Sequence, residues 1–115
     1  MKENKLLKMS QDFAVSIIKT CNFLKSVGQK SLIDQLLRSG TSISANIAEG
    51  NHPQSRADMV SKFEIALKEA NETENWLIVC RGAGLLDDDT YKTLHKQVIQ
   101  IKICLISSIK TLKQS

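Results

Sequence analysis

The apolar positions of this chain recur at steps of three and four over most of its length, the spacing of one helical face. The first stripe runs Leu6, Met9, Phe13, Ile17, Thr20, Leu24 and Val27. Gly28 follows, where a helix C-terminus takes a left-handed residue. Ser31 with Asp34 reads as a capping box opening a second stripe of Ile33, Leu36, Gly40, Ile43 and Ile47. Gly50 closes it, and Pro53 prevents continuation. Ser55 and Asp58 repeat the capping signature before a heptad stripe of Met59, Phe63, Ala66, Ala70, Thr73, Leu77 and Cys80. Gly82 and Gly84 flank its end. Asp87, Asp88 and Asp89 put a cap and negative charge at the start of a fourth stripe, Tyr91, Leu94, Val98, Ile101 and Leu105. Ser108 interrupts that stripe, Ile109 is placed to take over the layer, and Leu112 resumes it.

The spacing predicts helices over 6–27, 31–49, 55–83 and 88–113. Connections of about three to five residues make consecutive helices antiparallel neighbours. Sustained three-four spacing gives the ~20° crossing of a left-handed bundle. The expected fold is all-α, one up-down-up-down antiparallel left-handed four-helix bundle over residues 1–115. Gly40 lies mid-helix on the core stripe at a cost of about 1 kcal/mol relative to alanine. With the small Ala66 and Ala70 on the third stripe, it predicts a close approach of the second and third helices.

More apolar residues are present than one stripe per helix requires. Ile99, Ile103 and Ile106 form a second stripe on the fourth helix, roughly 140° from the first at ~100° per residue. Lys92, Lys96 and Lys110 continue it at its ends. On the third helix Ile65, Trp76 and Val79 share a side with Glu69 and Glu72, while Val60, Leu67 and Ile78 occupy the other flank. Surplus apolar faces mark partner surfaces, and tryptophan is favoured at interface hot spots. Self-association is the expectation. On the second helix, Arg38, Ser42, Ala45 and Glu49 stand opposite the core stripe, with small side chains between two charged ends where another helix can pack close.

Composition narrows the function classes. One Pro and five Gly are too few for an all-β chain, which needs a turn every ~8–12 residues. Cys21, Cys80 and Cys104 are far apart with no Cys-x-x-Cys, and are read as buried thiols of a reducing cytosol. No apolar run reaches the ~18 residues of a membrane span, so a cytoplasmic protein without membrane contact is expected. The chain has no Gly-rich phosphate loop, Gly-x-Ser-x-Gly or His-Glu-x-x-His, and the expectation is a non-enzyme with no metal, cofactor or small-molecule substrate. The third-helix carboxylates read as ordinary i,i+4 support: Asp58 to Lys62, Glu64 to Lys68, Lys68 to Glu72.

The net charge of +4 is unevenly spread. Lysines gather in the first and fourth helices, which neighbour each other in an up-down bundle, while the middle two helices are mildly acidic. Lys8, Lys19, Lys92, Lys96 and Lys110 are the candidate phosphate contacts for RNA or another nucleic acid. They lack arginine and aromatic interleaving for base stacking, so a solubilising lysine surface is an equal reading.

Two runs carry a resemblance. Gln35-Leu36-Leu37-Arg38-Ser39-Gly40-Thr41-Ser42-Ile43-Ser44-Ala45-Asn46-Ile47-Ala48-Glu49-Gly50 and Phe63-Glu64-Ile65-Ala66-Leu67-Lys68-Glu69-Ala70-Asn71-Glu72-Thr73-Glu74-Asn75-Trp76-Leu77 resemble the signatures of bacterial four-helix-bundle proteins called 23S rRNA intervening-sequence proteins. Related accessory proteins of diversity-generating retroelements form pentameric barrels, bind nucleic acid and assist a reverse transcriptase. The resemblance implies a homo-oligomer, a pentamer, and places Arg38, Ser42, Asn46 and Glu49 in the shared motif. Many members have Phe-Pro before the second helix, where this chain has Val27-Gly28-Gln29-Lys30. The reading is a non-catalytic oligomer associated with RNA. Its rival is a protein-only scaffold or accessory subunit that recruits a partner such as a reverse transcriptase. The candidate oligomer contacts are Arg38, Ser42, Ala45, Glu49, Ile65, Trp76, Ile99, Ile103 and Ile106.

Overall fold

The four stripes become four helices in a computed structural model that describes residues 2–114, with side chains from residue 5. They are α1 (Lys2–Leu24), α2 (Lys30–Gly50), α3 (Arg56–Gly82) and α4 (Asp88–Gln114). A 3-10 turn, Lys25–Val27, prolongs α1. Each helix packs on its neighbours in sequence, and α1 meets α4 to close the bundle. Partners on α3 descend as α2 rises from its middle to its end: Arg38 and Ser39 meet Glu69 and Thr73, and Glu49 ten residues on meets Lys62. That is the register of an antiparallel pair, and the expected four-helix bundle is the fold.

The helix ends follow their local chemistry. Ser55 Oγ accepts the Asp58 N–H at 3.0 Å, and Asp87 Oδ1 accepts the Thr90 N–H at 2.7 Å. This backbone N–H holds the Asp87 carboxyl below its ordinary range. At the end of α3, Leu85 N–H reaches the Cys80 carbonyl and Gly84 N–H reaches that of Arg81. This is a Schellman closure, and it needs the left-handed φ of 78° at Gly84. The capping box expected at Ser31 does not form. The α2 helix starts one residue earlier, behind Gln29 at φ 61°, and Asp34 pairs with Lys30 at 2.8 Å instead. Successive positive φ values at Gly28 and Gln29 make the α1–α2 turn only two residues long.

The core stripes of α2, α3 and α4 are buried nearly as the spacing predicts, with Ile109 rather than Ser108 completing the last layer. On α1 the stripe is displaced. Ser10, Ala14 and Cys21 are buried beside Leu6, Phe13, Ile17 and Leu24, while Met9 and Thr20 are half-buried and Val27 is exposed. Small side chains turn inward there because α2 comes close. A Cβ on Gly40 would lie 2.9 Å from both Cγ atoms of Ile17, so this glycine admits α1, not α3 as the sequence implied. The tight approach of α2 to α3 is elsewhere: a Cβ on Gly50 would lie 2.6 Å from the ring of Phe63. Cys21 and Cys80 are buried free thiols, and burial pushes the Cys21 thiol up to about 11; Cys104 is half-buried.

Candidate functional site

Polar residues within the two signature runs meet where α2 lies on α3. Arg38 Nη1 donates to Glu69 Oε2 at 2.8 Å, Nη2 donates to Glu72, and Nε reaches Gln35 Oε1 at 3.3 Å. Trp76 Nε1 donates to the same Glu72 carboxylate at 3.2 Å. Beneath them the hydroxyls of Ser39 and Thr73 are 2.9 Å apart and fully buried. Glu69 is only 9% exposed, and a carboxylate so desolvated needs a charged partner. The Arg38 hydrogen bond, with Trp76 adding to it, holds the Glu72 carboxyl below the usual carboxylate range.

This geometry changes the reading of the Arg38 face. Arg38 and Glu49 turn along the flank of α2 toward α3 of their own chain, Glu49 meeting Lys62 at 3.1 Å. Ser42 Oγ donates to the Arg38 carbonyl and Asn46 Nδ2 to the Ser42 carbonyl, so both polar side chains are satisfied within α2. Ala45 is exposed, with no side chain to obstruct a neighbour. The expected i,i+4 pairs of α3 are replaced by pairs between helices: Glu72 with Arg38, Lys62 with Glu49, and Glu64 with Lys113 at 2.8 Å. A neighbouring helix supplies fixed partners that a solvated i,i+4 pair does not.

A second cluster on the opposite flank of α3 was not legible as a site. Lys102 Nζ donates to Glu74 Oε1 at 2.6 Å, and His95 Nε2 lies 3.1 Å from Glu74 Oε2. The Lys102 hydrogen bond outweighs desolvation and, with His95, keeps the Glu74 carboxyl low. His95 stacks on Tyr91 at 5.2 Å, and Arg81 covers the other reach of that ring at 4.6 Å while binding Asp88 at 3.0 Å. The available signal was spacing: His95 and Lys102 are two helical turns apart on one flank of α4.

The surplus apolar residues are at the surface. Ile103 is 61% exposed and Ile106 51%, with Ile99 half-buried beside them. Ile65 and Val79 are about equally open, and Trp76 is half-buried against the core. Phe23, Val15 and Ile18 on α1 are exposed as well, outside the apolar stripe of that helix. Lys92, Lys96 and Lys110 stand exposed on α4 around the Ile103 stripe. Lys8 is tied to Asp12 at 2.8 Å, and Lys19 sits apart from the α4 lysines, on a groove with Phe23 and Leu86. Among the described residues no group of three His, Cys, Asp or Glu side chains could hold a metal ion. No described helix is long and apolar enough to cross a membrane.

The arrangement defines a four-helix bundle whose α2–α3 seam is fastened by an arginine-carboxylate cluster and whose outer faces stay apolar. It is a small all-α protein built on one signature seam. The family model of the 23S rRNA-intervening sequence protein matches residues 2–107, and the chain belongs to that family. It is also similar to a crystal structure of a protein of unknown function from the S23 ribosomal protein family of Bacteroides thetaiotaomicron. The identity is 42% and the TM-score 0.88, over 96% of this chain and 99% of that one. No curated protein matches it.

Proposed function

We propose that this chain is a non-catalytic subunit of a cytoplasmic homo-oligomer, pentameric as the retroelement relatives are, that associates with RNA. The observation that carries the reading is the exposure of Ile65, Val79, Ile103 and Ile106 on outer faces of the bundle. Burying apolar area of this kind yields about 25 cal/mol per Å2, and a second copy can supply the cover. The exposed Lys92, Lys96 and Lys110 support a phosphate-binding role, as does the family's association with ribosomal RNA insertions.

Light scattering at micromolar concentration tests the assembly; a particle of 12.8 kDa would remove it. Titration of structured RNA at rising salt tests the second half. The expected result is binding at low ionic strength that weakens steeply with salt. Absence of binding even at low salt would leave the oligomer and remove the RNA. One observation favours the protein-only scaffold as the second reading: Lys8, Lys102 and Lys113 are held by carboxylates of this chain, which reduces the cationic surface. Assembly without polyanion affinity, together with a purified reverse transcriptase bound directly, would establish that reading.

A further inference from the structure

Two outer faces of this bundle differ in charge. The first lies over the α2–α3 seam, where Ile65, Trp76 and Val79 surround the Arg38 cluster. Its ionised side chains are Glu49, Asp58, Glu69 and Glu72 against Arg38, Lys62 and Lys68, an excess of one acid. The second lies on α4, where Ile99, Ile103 and Ile106 are rimmed by Lys92, Lys96 and Lys110. None of those three lysines has an ion-pair partner among the described residues. We infer that the α4 face of one copy docks on the α2–α3 face of the next, a head-to-tail contact between unlike surfaces. The inference rests on the homo-oligomer reading and specifies its interface.

Charge selects this pairing over the symmetric ones. Setting the α4 face on itself would bring three lysines against three lysines, and like charges across an interface cost several kcal/mol. The α2–α3 face on itself would oppose carboxylates. Lysines against the acidic face remove both conflicts. Size is sufficient too. The bundle measures 47 × 21 × 19 Å, so one long side exceeds the roughly 800 Å2 per partner of a standard interface.

Direction follows from the helical wheel. At ~100° per residue each patch centre stands about 120° from its helix's core direction. The α3 patch turns toward α2, as the Arg38 pairs require, and the α4 patch turns toward α3, as the Glu74 and Glu64 pairs require. With α3 and α4 at adjacent corners of the bundle, the two faces point outward about 100° apart. Unlike faces close a ring when that angle matches the interior angle of a polygon, about 90° for four copies and about 108° for five. A heterologous contact in this orientation closes on itself as a small ring instead of running into a filament.

Two face-blocked variants test the pairing. One carries Ile103→Asp and Ile106→Asp, the other Ile65→Asp and Val79→Asp. Circular dichroism and a cooperative melt establish that each is folded. If either is not, Ile103→Arg and Ala45→Arg block the same faces at exposed positions. By light scattering the expected result is that each variant alone is a 12.8 kDa monomer. An equimolar mixture gives a heterodimer of about twice that mass and nothing larger, because each copy retains one complementary face. A variant that still self-associates, or a mixture that stays monomeric while the wild type assembles, overturns the pairing and leaves the oligomer. A monomeric wild type overturns the oligomer and the pairing together.

Discussion

The α2–α3 seam and the α1–α4 seam join the same kinds of helix by different means. Across the first run the Arg38–Glu69 and Glu49–Lys62 pairs, the buried Ser39–Thr73 contact and the close approach of Gly50 to Phe63. Across the second, depressions open between Lys19, Phe23 and Leu86, between Ser16 and Thr93, and between Met9, Asp12 and Gln100. Among the described residues no ion pair links α1 to another helix, whereas α3 is paired to both α2 and α4. The difference teaches that α3 organises this bundle, while the described side chains of α1, apart from a Cys21 Sγ–Ile33 carbonyl contact at 3.8 Å, meet the other helices through apolar packing. The stretches that resemble the family signatures lie on α2 and α3, the helices with the close, polar seam.

The largest expected effect comes from breaking the tight seam. Phe63→Ala removes a ring with no exposed surface from the place where Gly50 has made room for it. Truncating a buried phenylalanine costs about 3–5 kcal/mol. Urea denaturation with an unchanged m-value would measure it, and a loss under about 1 kcal/mol would contradict the anchoring role of this seam.

Arg38→Met is expected to cost about 1–3 kcal/mol, less than a fully buried pair because the guanidinium is half exposed. Most of that loss comes from leaving Glu69 desolvated and unpaired. Adding Glu69→Gln therefore restores part of it, and a double-mutant cycle reads the coupling directly. Acid reaches this seam through Glu72, and the α3–α4 flank through Glu74, reversibly. The folded-state pKa of Glu72 and of Glu74 is depressed, so between the folded and unfolded values the unfolded chain binds more protons. Their contribution is complete above about pH 4.3, the unfolded carboxylate value, and is lost as pH falls through the folded values. Glu72→Gln and Glu74→Gln should flatten the slope of stability against pH in the acid range.

Hydrogen exchange sharpens the contrast without mutation. Amides in the middle of α1 should open about 1–2 kcal/mol more readily than those of α3, a protection difference of about 5–30-fold. Equal protection in both helices would show that the apolar packing of α1 holds it as firmly as the polar seam holds α3.

How much of this was legible depended on period and partner. The steps of three and four located four helices to within a few residues, because burial on one face imposes that spacing directly. Ser55 and Asp87 were legible as caps since an N-cap acts on its own chain within three residues. Ser31 was not, because Gln29 adopts a left-handed conformation that the residue type does not announce and starts α2 a residue early. Gly40 announced a close approach but not which helix approached, a fact fixed by the packing of Ile17. The Glu74–His95–Lys102 cluster was hidden for the same reason, as its members sit on two helices whose register no local spacing specifies. Charges on α3 read as i,i+4 pairs in isolation, and only the neighbours redirected them.

The smallest effect tests the other side of the comparison. Lys8 and Asp12 form an ion pair at 2.8 Å within α1, with side chains 74% and 55% exposed. Such a pair is screened by solvent and loses side-chain entropy on forming, so i,i+4 pairs contribute about 0.2–0.5 kcal/mol. The lysine also precedes the acid, the weaker orientation against the helix dipole. Lys8→Ala should therefore shift the urea midpoint by less than about 0.5 kcal/mol equivalent, and added salt should erase even that. A loss above about 1 kcal/mol would mean that α1 is fastened electrostatically after all, and the contrast between the two seams would fail at its weaker end.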